Sequence, residues 1–161
     1  MASKLAIKPV TKQRKKWQTL LQNSAEETAT GSLRVLIDTN VWFSGIIYGG
    51  TPEEVIRLCR HNYIIVSSDY IISELFANLK LIKAPYKWRN ELERLLKAFC
   101  LLVEPSDPPT VSRDSGDDPV IAAAMTGGCD FIITGDKDLL ALKSYRKMLI
   151  ITPSEFLNTR V

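Results

Sequence analysis

The stretch that decides the fold is Leu33-Arg-Val-Leu-Ile37-Asp38-Thr39-Asn40, in which an apolar run meets polar residues. The run from Leu33 to Ile37 is short and rich in branched side chains, as is typical of a buried strand in a parallel sheet. Because apolar character stops at Asp38, we expect the strand to end there and a polar turn to start at Asp38-Thr39-Asn40.

Four more strand-like runs follow, separated by segments long enough for helices. The helix signals include two predicted capping boxes, Thr51 with Glu54 and Thr152 with Glu155. Strands alternating with helices predict βαβ units, and so an α/β fold whose mostly parallel central sheet is covered on both faces. The further strands are predicted at Tyr63–Val66, Leu101–Val103, Phe131–Thr134 and Met148–Ile151, and helices at about 51–60, 67–83, 86–99, 117–127, 137–142 and from 152.

Positive charge is concentrated near the N-terminus. Residues 1–34 contain seven of the 21 basic residues and two of the 18 acids, a net charge of +5 that leaves −2 for residues 35–161. Residues 1–33 show no strand-like run, although Trp17, Leu20 and Leu21 share one helical face. We therefore predict a basic arm over 1–33, partly disordered or forming a short helix, and a single folded domain over 34–161.

Composition excludes several classes of protein. No apolar run exceeds six residues, so we expect no membrane span, and the basic N-terminus lacks the apolar region of a secretory signal. Three widely spaced cysteines without a CxxC motif argue against disulfides or zinc and favour a reducing, cytoplasmic location. With His61 as the one histidine, any chemistry is expected to depend on carboxylates.

Two acids follow predicted parallel strands. Asp38 follows the first strand and Asp136 follows the fourth, so both belong to the carboxyl edge, where open α/β sheets bind ligands. Either acid taken alone is explained equally well as an ordinary turn residue. Their shared position is the stronger indication.

Two more acids have an ordinary explanation beside the functional one. Asp118 precedes Pro119 and is a good helix cap, although Asp117 and Asp114 lie close by. Glu74 borders the predicted buried face of its helix, where a solvated side chain is the usual outcome. If these acids converged on Asp38, they would repel one another unless they shared a cation. A site of oxygen ligands alone favours Mg²⁺ or Mn²⁺, which suits phosphodiester hydrolysis.

These segments together resemble the PIN (PilT N-terminus) domain family. The resemblance rests on Val35-Leu-Ile-Asp38-Thr39-Asn40, then Glu74, then Asp117-Asp118 before an Ala-rich helix, then Thr134-Gly-Asp136-Lys-Asp138-Leu-Leu140. It covers about residues 34–158 and is strongest toward the VapC-like toxins of toxin–antitoxin modules.

The resemblance implies a three-layer α/β/α sandwich and a Mg²⁺- or Mn²⁺-dependent endoribonuclease that cleaves single-stranded RNA with a metal-activated water. It also implies a cognate antitoxin protein and a homodimer. The basic arm departs from the family pattern. Carried over by motif, the catalytic and metal-binding acids would be Asp38, Glu74, Asp118 and Asp136, with Thr39, Asn40, Thr134, Asp117 and Asp138 in supporting places.

Residues 80–97 offer a possible RNA surface. Lys83, Lys87 and Arg89 are interleaved with Tyr86 and Trp88, which suits phosphate contacts and base stacking. An ordinary solvated helix face explains the same pattern equally well. Other functions remain open: a non-catalytic RNA-binding PIN module, a DNA nuclease, or a phosphatase of the haloacid dehalogenase type. Asn40 stands where that last class usually has a second Asp, which counts against it.

Overall fold

The computed structural model describes residues 33–105 and 118–159, together with Lys15, Trp17 and Thr19. At Asp118 the backbone is described but the side chain is not. Lys15, Trp17 and Thr19 are helical, and the Trp17 side chain is 1% exposed within the main hydrophobic core. The rest of the predicted arm lies outside the described residues, so its separation from the domain stays a prediction.

Between residues 33 and 159 the described chain forms six strands and seven helices. None of the described helices is long and apolar enough to cross a membrane. In chain order the elements are β1 Arg34–Ile37, α1 Thr39–Ile47, α2 Thr51–Asn62, β2 Ile64–Ser68, α3 Asp69–Leu81, α4 Tyr86–Phe99, β3 Leu101–Val103, α5 Asp118–Thr126, β4 Phe131–Ile133, α6 Lys137–Ala141, β5 Ser144–Tyr145, β6 Met148–Ile151 and α7 Pro153–Asn158.

The strands form one sheet in the order β3-β2-β1-β4-β6-β5. All pairs are parallel except β5 with β6. The chain moves outward from β1 through β2 to β3 and then returns to place β4 on the other side of β1. The strand order therefore reverses between β1 and β4, which makes their carboxyl ends the expected ligand site.

Helices cover both faces of this sheet. Val35, Leu36 and Ile37 are consecutive in β1 and each is fully buried, although neighbouring side chains of a strand point to opposite faces. Helix α5 contacts β1, β2 and β4, while α2 and α3 also contact β2. The predicted three-layer α/β/α fold is therefore confirmed, because only helices on both faces bury such a strand.

The expected polar turn after β1 is wrong, because α1 begins at Thr39. Asp38 caps this helix through its side chain, and the apolar residues that follow have helical spacing. Val41, Trp42 and Ile46 are buried along one side of α1. Asp38 and Thr39 thus lie at the junction between a strand and a helix.

Two smaller differences concern a helix cap and a short strand. Thr51 is the first residue of α2 and Gly50, with φ 69°, is its cap, so the box expected from Thr51 and Glu54 is wrong. The box of Thr152 and Glu155 at α7 is confirmed. The two-residue strand β5 was not predicted, because a run as short as Ser144–Tyr145 carries no periodicity.

Candidate functional site

The carboxyl ends of β1 and β4 lie side by side. The Asp38 backbone N–H donates to the carbonyl of Ile133 at 3.0 Å, which continues the strand pairing to the last residue of β4. The two polar segments that follow, beginning at Asp38 and at Thr134, are therefore neighbours although 96 residues separate them.

Asp38 is buried and accepts a hydrogen bond at each carboxylate oxygen. Its side chain is 6% exposed. Oδ1 accepts the backbone N–H of Thr39 at 2.7 Å, and Oδ2 accepts the hydroxyl of Thr134 at 2.7 Å. Each carboxylate oxygen has further lone-pair capacity, so these bonds orient the group without saturating it.

Thr39 joins Asp38 to Glu74. Its backbone N–H donates to Asp38, and its hydroxyl donates to Oε2 of Glu74 at 2.7 Å. Glu74 lies in α3 with an exposed side chain, whereas Thr39 is 4% exposed. Glu74 therefore reaches toward the carboxyl edge of β1 and is not an isolated solvated residue, which was the ordinary explanation.

Thr134 makes the corresponding link to Asp136. The fully buried Thr134 hydroxyl donates to Asp38 and accepts the backbone N–H of Asp136 at 3.0 Å. Asp136 in turn caps α6, where its Oδ1 accepts the N–H groups of Asp138 at 2.8 Å and Leu139 at 3.3 Å. Two threonines thus connect the sites of three acids in one hydrogen-bonded network.

Asn40 makes a further contact at the exposed edge of this network. Its Oδ1 accepts the backbone N–H of Gly135 at 3.3 Å and so ties the start of α1 to the turn after β4. Both residues are exposed. Asn40 therefore lies at the edge of this network and links α1 to the turn after β4.

The pKa of Asp38 is raised from its ordinary value. The main cause is burial, and the negative charges of Glu74 and Asp136 raise the pKa further. The hydrogen bonds from Thr134 and Thr39 act in the opposite direction, because they stabilise the ionised carboxylate. A buried carboxylate beside two other acids is an environment that a cation would stabilise.

The described donors fit a hard cation in chemistry. Asp38, Glu74 and Asp136 supply carboxylate oxygens, the ligands that Mg²⁺ and Mn²⁺ prefer. Within the described residues, no group of three or more His, Cys, Asp or Glu side chains is assembled closely enough to hold a metal ion. The Asp118 side chain is not part of that description.

The described cysteines do not have the environment of a reactive thiol. Cys59 and Cys100 are buried and Cys129 is half-buried, and burial raises the pKa of all three thiols, that of Cys129 to about 12. A thiol nucleophile needs a lowered pKa, so none of these three cysteines is a candidate for that role.

The other predicted residues occupy different places. Asp118 begins α5, Asp138 is half-buried in α6, and Asp117 lies outside the described residues. Lys83 and Lys87 are exposed at the turn between α3 and α4 and at the start of α4. Arg89 is half-buried.

The basic segment also contains two aromatic residues with different surroundings. Tyr86 is 68% exposed, and the guanidinium of Arg89 lies 5.7 Å from its ring centroid. Trp88 is 1% exposed in the core, so the stacking role suggested for it is wrong. The periodicity of α4 contained the signal, because Trp88, Leu92 and Leu96 form its buried face.

Comparison with known families agrees with this geometry. A family model described as the PIN domain matches residues 34–138, more than half of the chain. The chain belongs to the PIN-domain family. The matched range contains all four acids singled out above, Asp38, Glu74, Asp118 and Asp136.

Two individual proteins are similar to this chain. An uncharacterised protein of Methanocaldococcus jannaschii is 32% identical over 140 residues, which cover 78% of this PIN-domain chain and 90% of the relative. A chain in the crystal structure of VapBC2 from Rickettsia felis bound to a DNA fragment from their promoter superposes with a TM-score of 0.57. That match covers 74% of this chain and 98% of the other at 12% identity, so it shows a shared fold.

Proposed function

We propose that this PIN-domain protein is a Mg²⁺- or Mn²⁺-dependent endoribonuclease that cleaves single-stranded RNA. The observation that carries the proposal is the network at the strand-order reversal, where Thr39 and Thr134 connect Asp38 with Glu74 and with the Asp136 turn. Catalysis by several carboxylates at one edge of a sheet fits metal-assisted hydrolysis of a phosphodiester.

In this proposal Asp38, Glu74, Asp118 and Asp136 hold the divalent ion, directly or through water. The chemistry that such an ion would supply is a lowered pKa of a water molecule and polarisation of the phosphate. The chain itself fixes the positions of the ligands. The hydrogen bonds from Thr134 and Thr39 orient Asp38 and favour its ionised form, in opposition to the burial that raises its pKa. Asn40 holds the turn before Asp136 against α1.

The same proposal includes a role as the toxin of a toxin–antitoxin module, acting in the cytoplasm as a homodimer with a cognate antitoxin. The support is the family resemblance together with the fold shared with the VapBC2 structure. That structure contains DNA from a promoter, so we attribute no RNA contact of this chain to it.

RNA is proposed to approach along the tip formed by the end of α3 and the start of α4. Lys83 and Lys87 are exposed there, Arg89 flanks the ring of Tyr86, and Tyr86 is open to solvent. Lysine and arginine neutralise phosphates, and an exposed tyrosine can stack on an unpaired base.

The test is cleavage of a single-stranded RNA by the purified full chain, with and without EDTA, beside the Asp38→Asn variant. We expect divalent-dependent cleavage that returns when metal is restored and that Asp38→Asn lowers by at least about a hundredfold. Glu54→Gln, which removes an exposed acid from α2, is the matched control. Cleavage that persists in Asp38→Asn would refute the assignment. Cleavage of DNA in preference to RNA would show that the substrate is DNA and not RNA.

A further inference from the structure

A cavity opens at the carboxyl edge of the sheet, on the β3 side of the candidate site. Its volume is about 190 Å³. It is formed where β3 ends and where α3 and α5 begin, and segments that carry two of the four proposed acids therefore border it. The described lining residues are Ser68, Asp69, Tyr70, Val103, Glu104, Pro105, Pro119 and Ala122.

The cavity is lined by apolar side chains and by one tyrosine. Val103, Pro105, Pro119 and Ala122 supply the apolar surface, and Tyr70 is 42% exposed. An exposed ring beside apolar surface is the usual platform for an unpaired base. At about 190 Å³ the cavity is smaller than typical small-molecule pockets, which begin near roughly 300 Å³, so it suits a single base.

The polar groups of the cavity favour one kind of base edge. Asp69 and Glu104 are exposed carboxylates, which only accept hydrogen bonds when ionised. The described lining contains no lysine or arginine. Lys97, whose Nζ lies 4.0 Å from Oδ1 of Asp69, is already paired with Glu93 at 3.0 Å, so the described charges favour a neutral base over a phosphate group. The Ser68 hydroxyl accepts the backbone N–H of Ile71 in the cap of α3. The two carboxylates therefore favour partners that donate, such as the exocyclic amino groups of cytosine, adenine or guanine.

The cavity lies within reach of the proposed cleavage site. Tyr70 and Glu74 are four residues apart in α3, about 6 Å along the helix axis and on the same side of it. Pro119 directly follows Asp118 at the start of α5. A base bound here would belong to a nucleotide next to the phosphate that the acids act on.

We propose that this cavity is a base-recognition site that selects an unpaired, amino-bearing base of the RNA substrate, with Tyr70 stacking on the base and Glu104 accepting its amino group. The proposal rests on the function proposed above, since it names the substrate feature that the same edge of the sheet would recognise.

Binding of short homopolymers tests the cavity separately from catalysis. Fluorescence anisotropy in EDTA at pH 7.5 compares oligocytidylate with oligouridylate, whose bases are alike in size but carry an amino group or a carbonyl at the same position. We expect the wild type to prefer oligocytidylate by about fivefold or more. Equal affinity for the two oligomers, or no binding of either, would overturn the proposal.

Variants assign the two roles. Tyr70→Ala should weaken binding of both oligomers by about fivefold to a hundredfold, because stacking tolerates every base, and Tyr70→Phe should retain it. Glu104→Gln should shift the preference toward uridine, because an amide can also donate to the uracil carbonyl. Affinities and preferences unchanged in these variants would contradict the roles assigned.

Two substitutions outside the cavity are the controls. Tyr48→Ala removes an exposed tyrosine from the far end of α1, and Glu54→Gln removes an exposed acid from α2. Both should bind like the wild type, and equal losses in them would overturn the proposal. Failure of the ribonuclease proposal would give a different pattern. RNA would then stay uncleaved with Mn²⁺, while the wild type would still prefer oligocytidylate and the Tyr70 and Glu104 variants would still show their altered binding.

Discussion

Replacing Thr134 with valine is the sharpest test of the hydrogen-bonded network. Valine has nearly the shape of threonine, so the fully buried site stays filled, but the hydroxyl that donates to Asp38 at 2.7 Å is lost. The acceptor for the Asp136 N–H at 3.0 Å is lost with it. The substitution therefore removes a hydrogen bond to a charged group without creating a large cavity.

The expected cost follows from the kind of bond. A hydrogen bond to an ionised group contributes about 1.5–3 kcal/mol, so Thr134→Val should lower the free energy of unfolding at pH 7 by about 2 kcal/mol. Because the Thr134 bond lowers the pKa of Asp38, its loss raises that pKa further above the ordinary value. If the ionised form of Asp38 is the active one, the acidic limb of the cleavage profile moves to higher pH.

Two measurements check this, urea unfolding at pH 7 and the pH dependence of RNA cleavage. The matched control is Thr126→Val, which removes a hydroxyl that donates to the neutral carbonyl of Ala122 at 2.9 Å within α5. The control should cost less than about 1.5 kcal/mol and leave the acidic limb in place. An unchanged limb in Thr134→Val, or an equal displacement in the control, would refute the reasoning.

Three further predictions address other parts of the molecule. The raised pKa of Asp38 means that the folded state holds its proton more tightly than the unfolded state, so this carboxyl makes the protein less stable as pH rises above about 3.8, until the folded-state pKa is passed. Urea titrations from pH 3.5 to 8 should show Asp38→Asn gaining stability relative to wild type across that window; a constant difference would contradict it. Gly45→Ala should destabilise the protein by about 1–3 kcal/mol in urea unfolding, because the added carbon would lie 2.6 Å from Cδ1 of Ile56 and 3.1 Å from the Glu53 nitrogen. Helix propensity alone predicts a gain of about 1 kcal/mol, so a more stable variant would show that α1 and α2 are not packed this closely. Replacing Lys83, Lys87 and Arg89 together with alanine should weaken RNA binding and reduce its salt dependence, measured as the slope of log affinity against log salt; an unchanged slope would show that these residues do not contact phosphate.

The sequence was sufficient for the parts of the fold that have strong periodic or apolar signals. The strands around Val35, Ile65 and Ile132 were predicted because uninterrupted branched residues mark strands buried on both faces. The helices α3 and α4 were predicted because their apolar spacing is a local feature, although α3 begins two residues after the predicted start, with Ser68 as its cap. The carboxyl-edge position of Asp38 and Asp136 followed from the parallel sheet alone.

Features that depend on which elements become neighbours could not be predicted in the same way. The bond between Thr134 and Asp38 exists because β4 pairs with β1, and the order of strands along the chain does not reveal that pairing. The bond between Thr39 and Glu74 depends on α1 starting directly after β1, where a turn was expected. The cavity beside Tyr70 is formed by three segments that are distant in the chain.

The central claim is that the acids at the carboxyl edge form a divalent-cation site. Isothermal titration of the metal-free full chain with Mn²⁺ tests it without any assumption about the substrate. We predict saturable binding by the wild type, abolished in Asp38→Asn and retained in the Glu54→Gln control. Absence of binding in the wild type, or equal binding in Asp38→Asn, would contradict the account.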